Sequence, residues 1–193
     1  VLGLKMATDP RWVNIAEKTI DEILTDHAYC EQKATTNCIS LVVRFPEYED
    51  MVNEVTAVAA EEWGHFRKVL KELKKRGFKL GRTRNDNYVV KLREFKLKGD
   101  SRLKGFIDEL LIAAMIEARS CERFRLLSLH VNDEELKKFY HEFMVSEAGH
   151  YTLFLDLAKK YIDPEYVKKR WEEYLNYEAE LIKTIEYRGD RVH

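Results

Sequence analysis

Two Glu-x-x-His motifs stand out in this chain, Glu62-Trp63-Gly64-His65 and Glu147-Ala148-Gly149-His150. On a helix, positions i and i+3 project from one face, so each motif can offer a carboxylate oxygen and an imidazole nitrogen to one metal ion. A single such motif is weak evidence, because chance matches on solvated faces are common in Glu-rich helices. Two lone carboxylates, Glu31 and Glu117, strengthen the case by their positions. In an antiparallel helical hairpin, residues equally far from the turn sit at the same depth. Glu31 and Glu62 are centred on residues 46 and 47, beside Pro46, and Glu117 and Glu147 are centred on residue 132, in the Asn132-Asp133 break. Each hairpin is thus expected to bring one lone Glu level with one Glu-x-x-His.

All these positions lie on apolar stripes. Leu24, Ala28, Thr35 and Cys38 share the stripe of Glu31, and Val55, Val58, Val69 and Leu73 that of Glu62 and His65. Leu110, Ala113, Ala114 and Cys121 surround Glu117, while Tyr140, Phe143, Phe154 and Leu157 surround Glu147 and His150. An unpaired buried carboxylate costs several kcal/mol or takes up a proton, so four at one level call for cations between them. The spacing also repeats: Glu31 to Glu62 spans 31 positions and Glu117 to Glu147 spans 30, with Gly64 and Gly149 each preceding the histidine. A glycine in a helix interior costs roughly 1 kcal/mol against alanine, and tight helix packing is the plain explanation for it. One Glu from each of two helices and one Glu-x-x-His from each of two others is the ligand pattern of di-iron and di-manganese bundles. Oxygen-rich ligation with imidazole and open positions suits Fe(II) better than structural zinc.

Rival ligands fit less well. Glu122 is turned away from the Glu117 face, and Glu61 points to a flank of the helix as a surface charge. His27, one turn before Glu31, reads as a hydrogen-bonded core residue. Asp26, Asp108 and Arg119 could hold the ligands from behind, although ordinary helix-surface ion pairs account for them equally well.

The elements that must position these residues follow from helical periodicity and from punctuation by scarce Gly and Pro. A first helix is predicted from Asp9-Pro10 to about Arg44, ended by Phe45-Pro46. A second opens at Pro46 and stops at Gly77 after Arg76. Residues 78 to 99 read as a long connection without a persistent helical face. A third helix runs from Asp100 or Ser101 to His130, a fourth from Asn132-Asp133 to about Tyr161, and a fifth from Asp163-Pro164 to about Tyr187. Hairpin, crossover, hairpin, extra helix is the order of an all-α, ferritin-like four-helix bundle with one long crossover and an additional C-terminal helix. The length suits a single domain, its core bundle at about 9–161 and the extra helix at about 164–187. The longest apolar run, Leu110 to Ile116, is too short to span a bilayer. Cys30, Cys38 and Cys121 form no C-x-x-C pair, and they read as reduced packing thiols of a cytoplasmic protein. The N-terminus lacks the sections of a secretory signal.

The net charge of −1 hides an asymmetry: Arg67 to Lys104 holds 15 Lys or Arg against four Asp or Glu. The densest part comprises Lys71, Lys74, Lys75, Arg76, Lys79, Arg82 and Arg84. Such a cationic segment attracts phosphates and steers RNA, and Tyr88 and Phe95 are candidate stacking surfaces. A merely solvated Lys-rich loop at a helix C-terminus is the alternative.

The strings Asp26-His27-Ala28-Tyr29-Cys30-Glu31, Glu61-Glu62-Trp63-Gly64-His65-Phe66, Ile116-Glu117-Ala118-Arg119-Ser120-Cys121-Glu122-Arg123-Phe124 and Ser146-Glu147-Ala148-Gly149-His150-Tyr151 resemble the MiaE family. The similarity runs from about residue 9 to 160. Its members are tRNA hydroxylases acting on 2-methylthio-N6-isopentenyl-adenosine. The resemblance implies Glu31, Glu62, His65, Glu117, Glu147 and His150 as ligands of two iron ions. It implies O2-dependent hydroxylation of the isopentenyl group, with tRNA as substrate. The required electrons would come from an external donor, an electron-transfer protein of reductase or ferredoxin type, because the chain carries no flavin or Fe–S motif. Small residues such as Ala28, Ala113 and Ala114 leave room for a five-carbon substituent. The Glu-x-x-His pairs alone are shared with rubrerythrins and bacterioferritins, so a di-iron peroxidase or iron-handling protein is the alternative. A bundle that only docks partners would hold no stoichiometric metal.

Overall fold

A computed structural model of the chain describes residues 2–83, 85–184 and 192, and among them every regular element is helical. α1 spans Arg11–Ala16 and continues through a 3-10 turn, Glu17–Thr19, into α2, Ile20–Arg44. α3 spans Glu49–Lys75, α4 Asn87–Glu94, α5 Arg102–His130, α6 Glu134–Tyr161 and α7 Pro164–Thr184. This is the all-α, ferritin-like class with one long crossover and an additional C-terminal helix. No helix among the described residues is long and apolar enough to cross a membrane.

The chain forms two compact units. The first contains the α2–α3 hairpin. Its turn differs from expectation, because Pro46 does not open α3. The amide of Tyr48 donates to the Phe45 carbonyl at 3.2 Å, and the helix begins at Glu49. The end of α3 agrees with expectation. Gly77 adopts φ +75°, its amide reaches the Lys74 carbonyl at 3.0 Å, and the Phe78 amide reaches Leu73 at 2.9 Å. This paired closure satisfies orphan carbonyls and needs a left-handed residue that glycine supplies at no steric cost. The predicted continuous first helix is broken instead at Thr19, whose φ of −138° and ψ of 49° lie outside the helical region.

The second unit contains the α5–α6 hairpin, α4, α7 and the segment up to Asn14. Ser101 accepts a bond from the Lys104 amide to start α5, and Asp133 accepts from the amides of Glu135 and Leu136 to start α6. α4 lies in the stretch read as a plain connection. Asp86 caps it through the Val89 amide, and Tyr88 and Leu92 bury its inner face. α5 is buried on nearly every side, as a central helix is. Its interior charges therefore need partners, and the surrounding elements supply them. Arg170 of α7 pairs with Asp108, and Glu178 of α7 accepts from the Arg119 Nη2 at 2.6 Å. Arg93 and Lys96 hold Glu109, and the Thr8 amide and hydroxyl hold Glu122. These bonds define the roles of Asp108, Arg119 and Glu122. Asp108 and Arg119 are neither supports for the candidate ligands nor surface pairs; they are the buried seats of α7. Glu122 is fully engaged with Thr8 and Arg119. The predicted end of the last helix at Tyr187 lies outside the described residues.

Candidate metal centre

In the α2–α3 hairpin, Glu31, Glu62 and His65 are all buried, and each can place a ligand atom within 4.8 Å of the other two. His65 Nδ1 lies 3.6 Å from Glu31 Oε2 and 3.5 Å from Glu62 Oε2. The depth match read from the turn at residues 46 and 47 thus holds in space. His27 Nε2 meets Glu31 Oε1 at 2.6 Å, one turn earlier on α2. That contact fixes one oxygen of the carboxylate and turns the other toward His65, which is how an outer histidine orients an inner ligand. Glu61 is exposed, as expected, yet its Oε1 stands 3.7 Å from His65 Nε2. Asp26 accepts from the Val192 amide at 2.7 Å and supports no ligand through that bond.

The α5–α6 hairpin repeats the arrangement. Glu117, Glu147 and His150 are buried and can bring ligand atoms within 4.8 Å of one another. His150 Nδ1 lies 3.6 Å from Glu147 Oε2. Glu147 Oε1 is buried with no hydrogen-bond partner among the described residues. An anionic oxygen left so would cost several kcal/mol, and a cation removes that cost. Cys121, one turn after Glu117, donates its thiol to the Met144 carbonyl at 3.4 Å. Burial, reinforced by the Glu147 charge, pushes its pKa up to about 11. It is a packing thiol beside the acids rather than a nucleophile.

Each trio offers two carboxylates and one imidazole, a donor set that suits divalent iron or manganese and leaves coordination positions open. No trio contains a thiolate, which a structural zinc site would favour.

Gly64 and Gly149 do not serve tight packing. A Cβ at either position would meet nothing within 4 Å. The proposed stacking aromatics also move. Tyr88 is buried with its hydroxyl toward Glu178, and Phe95 is sandwiched against Tyr177 at 4.3 Å, with Arg170 over its ring. Both serve packing around α4 and α7, so neither can stack on a base. Among the cations read as RNA contacts, Lys71, Lys74, Lys75, Lys79 and Arg82 are exposed. Arg76 is half-buried and bonded to Glu72 at 2.6 Å, and Arg84 lies outside the described residues. One aromatic escaped the sequence reading: Trp63 is 48% exposed on α3. The available signal was helical spacing: at about 100° per residue, Trp63 is turned about 100° from Glu62 and about 160° from His65, away from the face the motif shares.

Comparison with known proteins identifies the family of the chain. Residues 2–193 match the family described as tRNA-(MS2IO6A)-hydroxylase (MiaE). A relative from Pseudomonas putida strain KT2440, named tRNA 2-(methylsulfanyl)-N(6)-isopentenyladenosine(37) hydroxylase, is 36% identical over 92% of this chain and 85% of its own. A Salmonella typhimurium strain LT2 protein of the same name is 45% identical over a shorter stretch, 39% of this chain and 27% of its own. A solved structure titled Protein 43 with aldehyde deformylating oxygenase activity, from Synechococcus, superposes with a TM-score of 0.91 at 31% identity, covering 98% of this chain and 94% of that one. With a match that runs along the described helices and both Glu-Glu-His trios, the chain belongs to the MiaE family.

Proposed function

We propose that this chain is a non-haem di-iron monooxygenase that hydroxylates the isopentenyl group of 2-methylthio-N6-isopentenyl-adenosine in tRNA. The observation that carries the reading is the duplicated buried trio, Glu31–Glu62–His65 and Glu117–Glu147–His150, in a member of a tRNA hydroxylase family. In this reading the whole chain is one domain, and the six side chains together hold two iron ions. Bound iron supplies the O2 chemistry that inserts oxygen into an unactivated C–H bond. One oxygen atom enters the substrate and the other leaves as water, which consumes two electrons and two protons from an external donor. A reductase or ferredoxin-type protein fills that role.

The protein's own residues orient and shield. His27 fixes the Glu31 carboxylate. Buried apolar neighbours, Leu24, Val58, Leu110 and Phe143 among them, keep water from the carboxylates. Ala28, Ala113 and Ala114 are buried and small, consistent with space for a branched five-carbon group. Lys71, Lys74, Lys75, Lys79 and Arg82 supply phosphate contacts, and a tRNA substrate implies a cytoplasmic protein.

The test is mass spectrometry of nucleosides from tRNA incubated with iron-loaded protein, reductant and O2. The reading predicts a gain of one oxygen on the isopentenyl-adenosine. Turnover of peroxide or of an aldehyde with no such gain would contradict it.

A further inference from the structure

We propose that Trp63 is a base-stacking residue, the head of an RNA-docking stripe that continues through Arg67, Lys71 and Lys74 on the outer face of α3. The inference rests on the tRNA reading above and adds to it the surface and the mode of contact.

Trp63 stacks on Phe66 with ring centroids 4.9 Å apart and an interplanar angle of 26°. Phe66 is half-buried and backs one face of the indole, while Trp63 as a whole is 48% exposed. The neighbouring outer positions are bare. Ala60 is exposed, and Gly64 has open space where a side chain would stand. Neither position carries a side chain long enough to cover the indole.

The cations follow in single file. Trp63, Arg67 and Lys71 are four residues apart, and Lys74 falls on the same stripe, so the row runs about 16 Å along the helix with about 6 Å between successive positions. Arg67, Lys71 and Lys74 are exposed and have no ion-pair partner among the described residues. From Trp63 to Arg82 the sequence holds eight Lys or Arg and one acid, Glu72, which Arg76 occupies. Unneutralised charge in a row calls for a polyanion, and an aromatic platform at its head calls for an unpaired base. An acidic redox protein would satisfy the charge but leaves the planar, open platform without purpose.

Binding of the full, iron-loaded chain to two RNAs of equal length tests this: a hairpin with an unpaired loop and a blunt duplex. Trp63→Ala is expected to weaken hairpin binding about 5- to 150-fold, the range of base–aromatic stacking, and to leave duplex binding unchanged. Trp63→Phe keeps a ring and retains most of the affinity. Lys71→Glu with Lys74→Glu weakens both RNAs and lowers the salt dependence by about 1.4 to 1.8 in log–log slope. Equal affinity of Trp63→Ala and the parent for the hairpin overturns the proposal, as does an equal loss on both RNAs. So does unchanged RNA binding with slowed reduction by an acidic reductase, which would assign this face to the electron donor. If the parent protein binds neither RNA, the tRNA reading itself fails.

Discussion

Arg170 on α7 grips Asp108 on α5 through two bonds, Nε to Oδ1 at 2.9 Å and Nη2 to Oδ2 at 3.0 Å, with both side chains buried. This fork answers what the last helix is for. Together with Glu178 on Arg119, it makes α7 the counter-charge of a central helix that also carries Glu117. Removing one partner leaves the other charge buried with only its lesser contacts, Glu173 and the Phe95 carbonyl for Arg170 or the Leu97 amide for Asp108, which costs up to about 3–5 kcal/mol. Asp108→Ala and Arg170→Ala are each expected to lower the urea midpoint by that equivalent. Arg170→Lys keeps the charge but loses the fork and falls in between. A change under about 1 kcal/mol in both alanine variants, the usual value of a surface pair, would contradict the role.

Gly149 and Gly64 cost helix stability and gain no packing from their lack of a side chain. Gly149→Ala and Gly64→Ala are each expected to stabilise the protein by about 1 kcal/mol, raising the melting temperature by about 2–4 °C for a chain of this size. Destabilisation in a thermal scan would show that the backbone there needs glycine for another reason.

Cys121 gives a pH signature in the metal-free protein. Burial first, and the nearby Glu147 charge second, raise its pKa from 9.0 to about 11. Because the folded pKa exceeds the unfolded one, the unfolded chain loses this proton first as pH rises. The stability contribution is therefore complete below pH 9 and declines between 9 and about 11. At pH 9 an alkylating reagent is expected to modify half-buried Cys30 well before Cys121. Equal rates would contradict the burial account.

Much of this was legible in the sequence because it depends on local rules. Hairpin turns at residues 46 and 132, caps at Ser101 and Asp133, and the closure at Gly77 follow from the residues present. Glu31 and Glu117 could be placed because equal distance from a turn means equal depth. What sequence could not show depends on contacts between distant elements. Asp108 and Arg170 are 62 positions apart, so nothing local distinguishes them from surface charges. α4 is only eight residues long, and its two buried anchors, Tyr88 and Leu92, are too few to establish a period. Tyr88, Phe95 and Trp63 look alike as aromatics near basic residues, and only the packing of α4 and α7 decides which of them stays exposed.

The central claim is that both trios hold metal, and iron content per chain after anaerobic loading tests it most directly. The parent protein is expected to retain about two irons, and Glu62→Ala, Glu117→Ala, Glu147→Ala and His150→Ala are each expected to lose most of that iron. Lys71→Ala, on the outer face of α3, should keep the full amount. Retention of two irons by Glu117→Ala and His150→Ala, or none in the parent, would contradict the account.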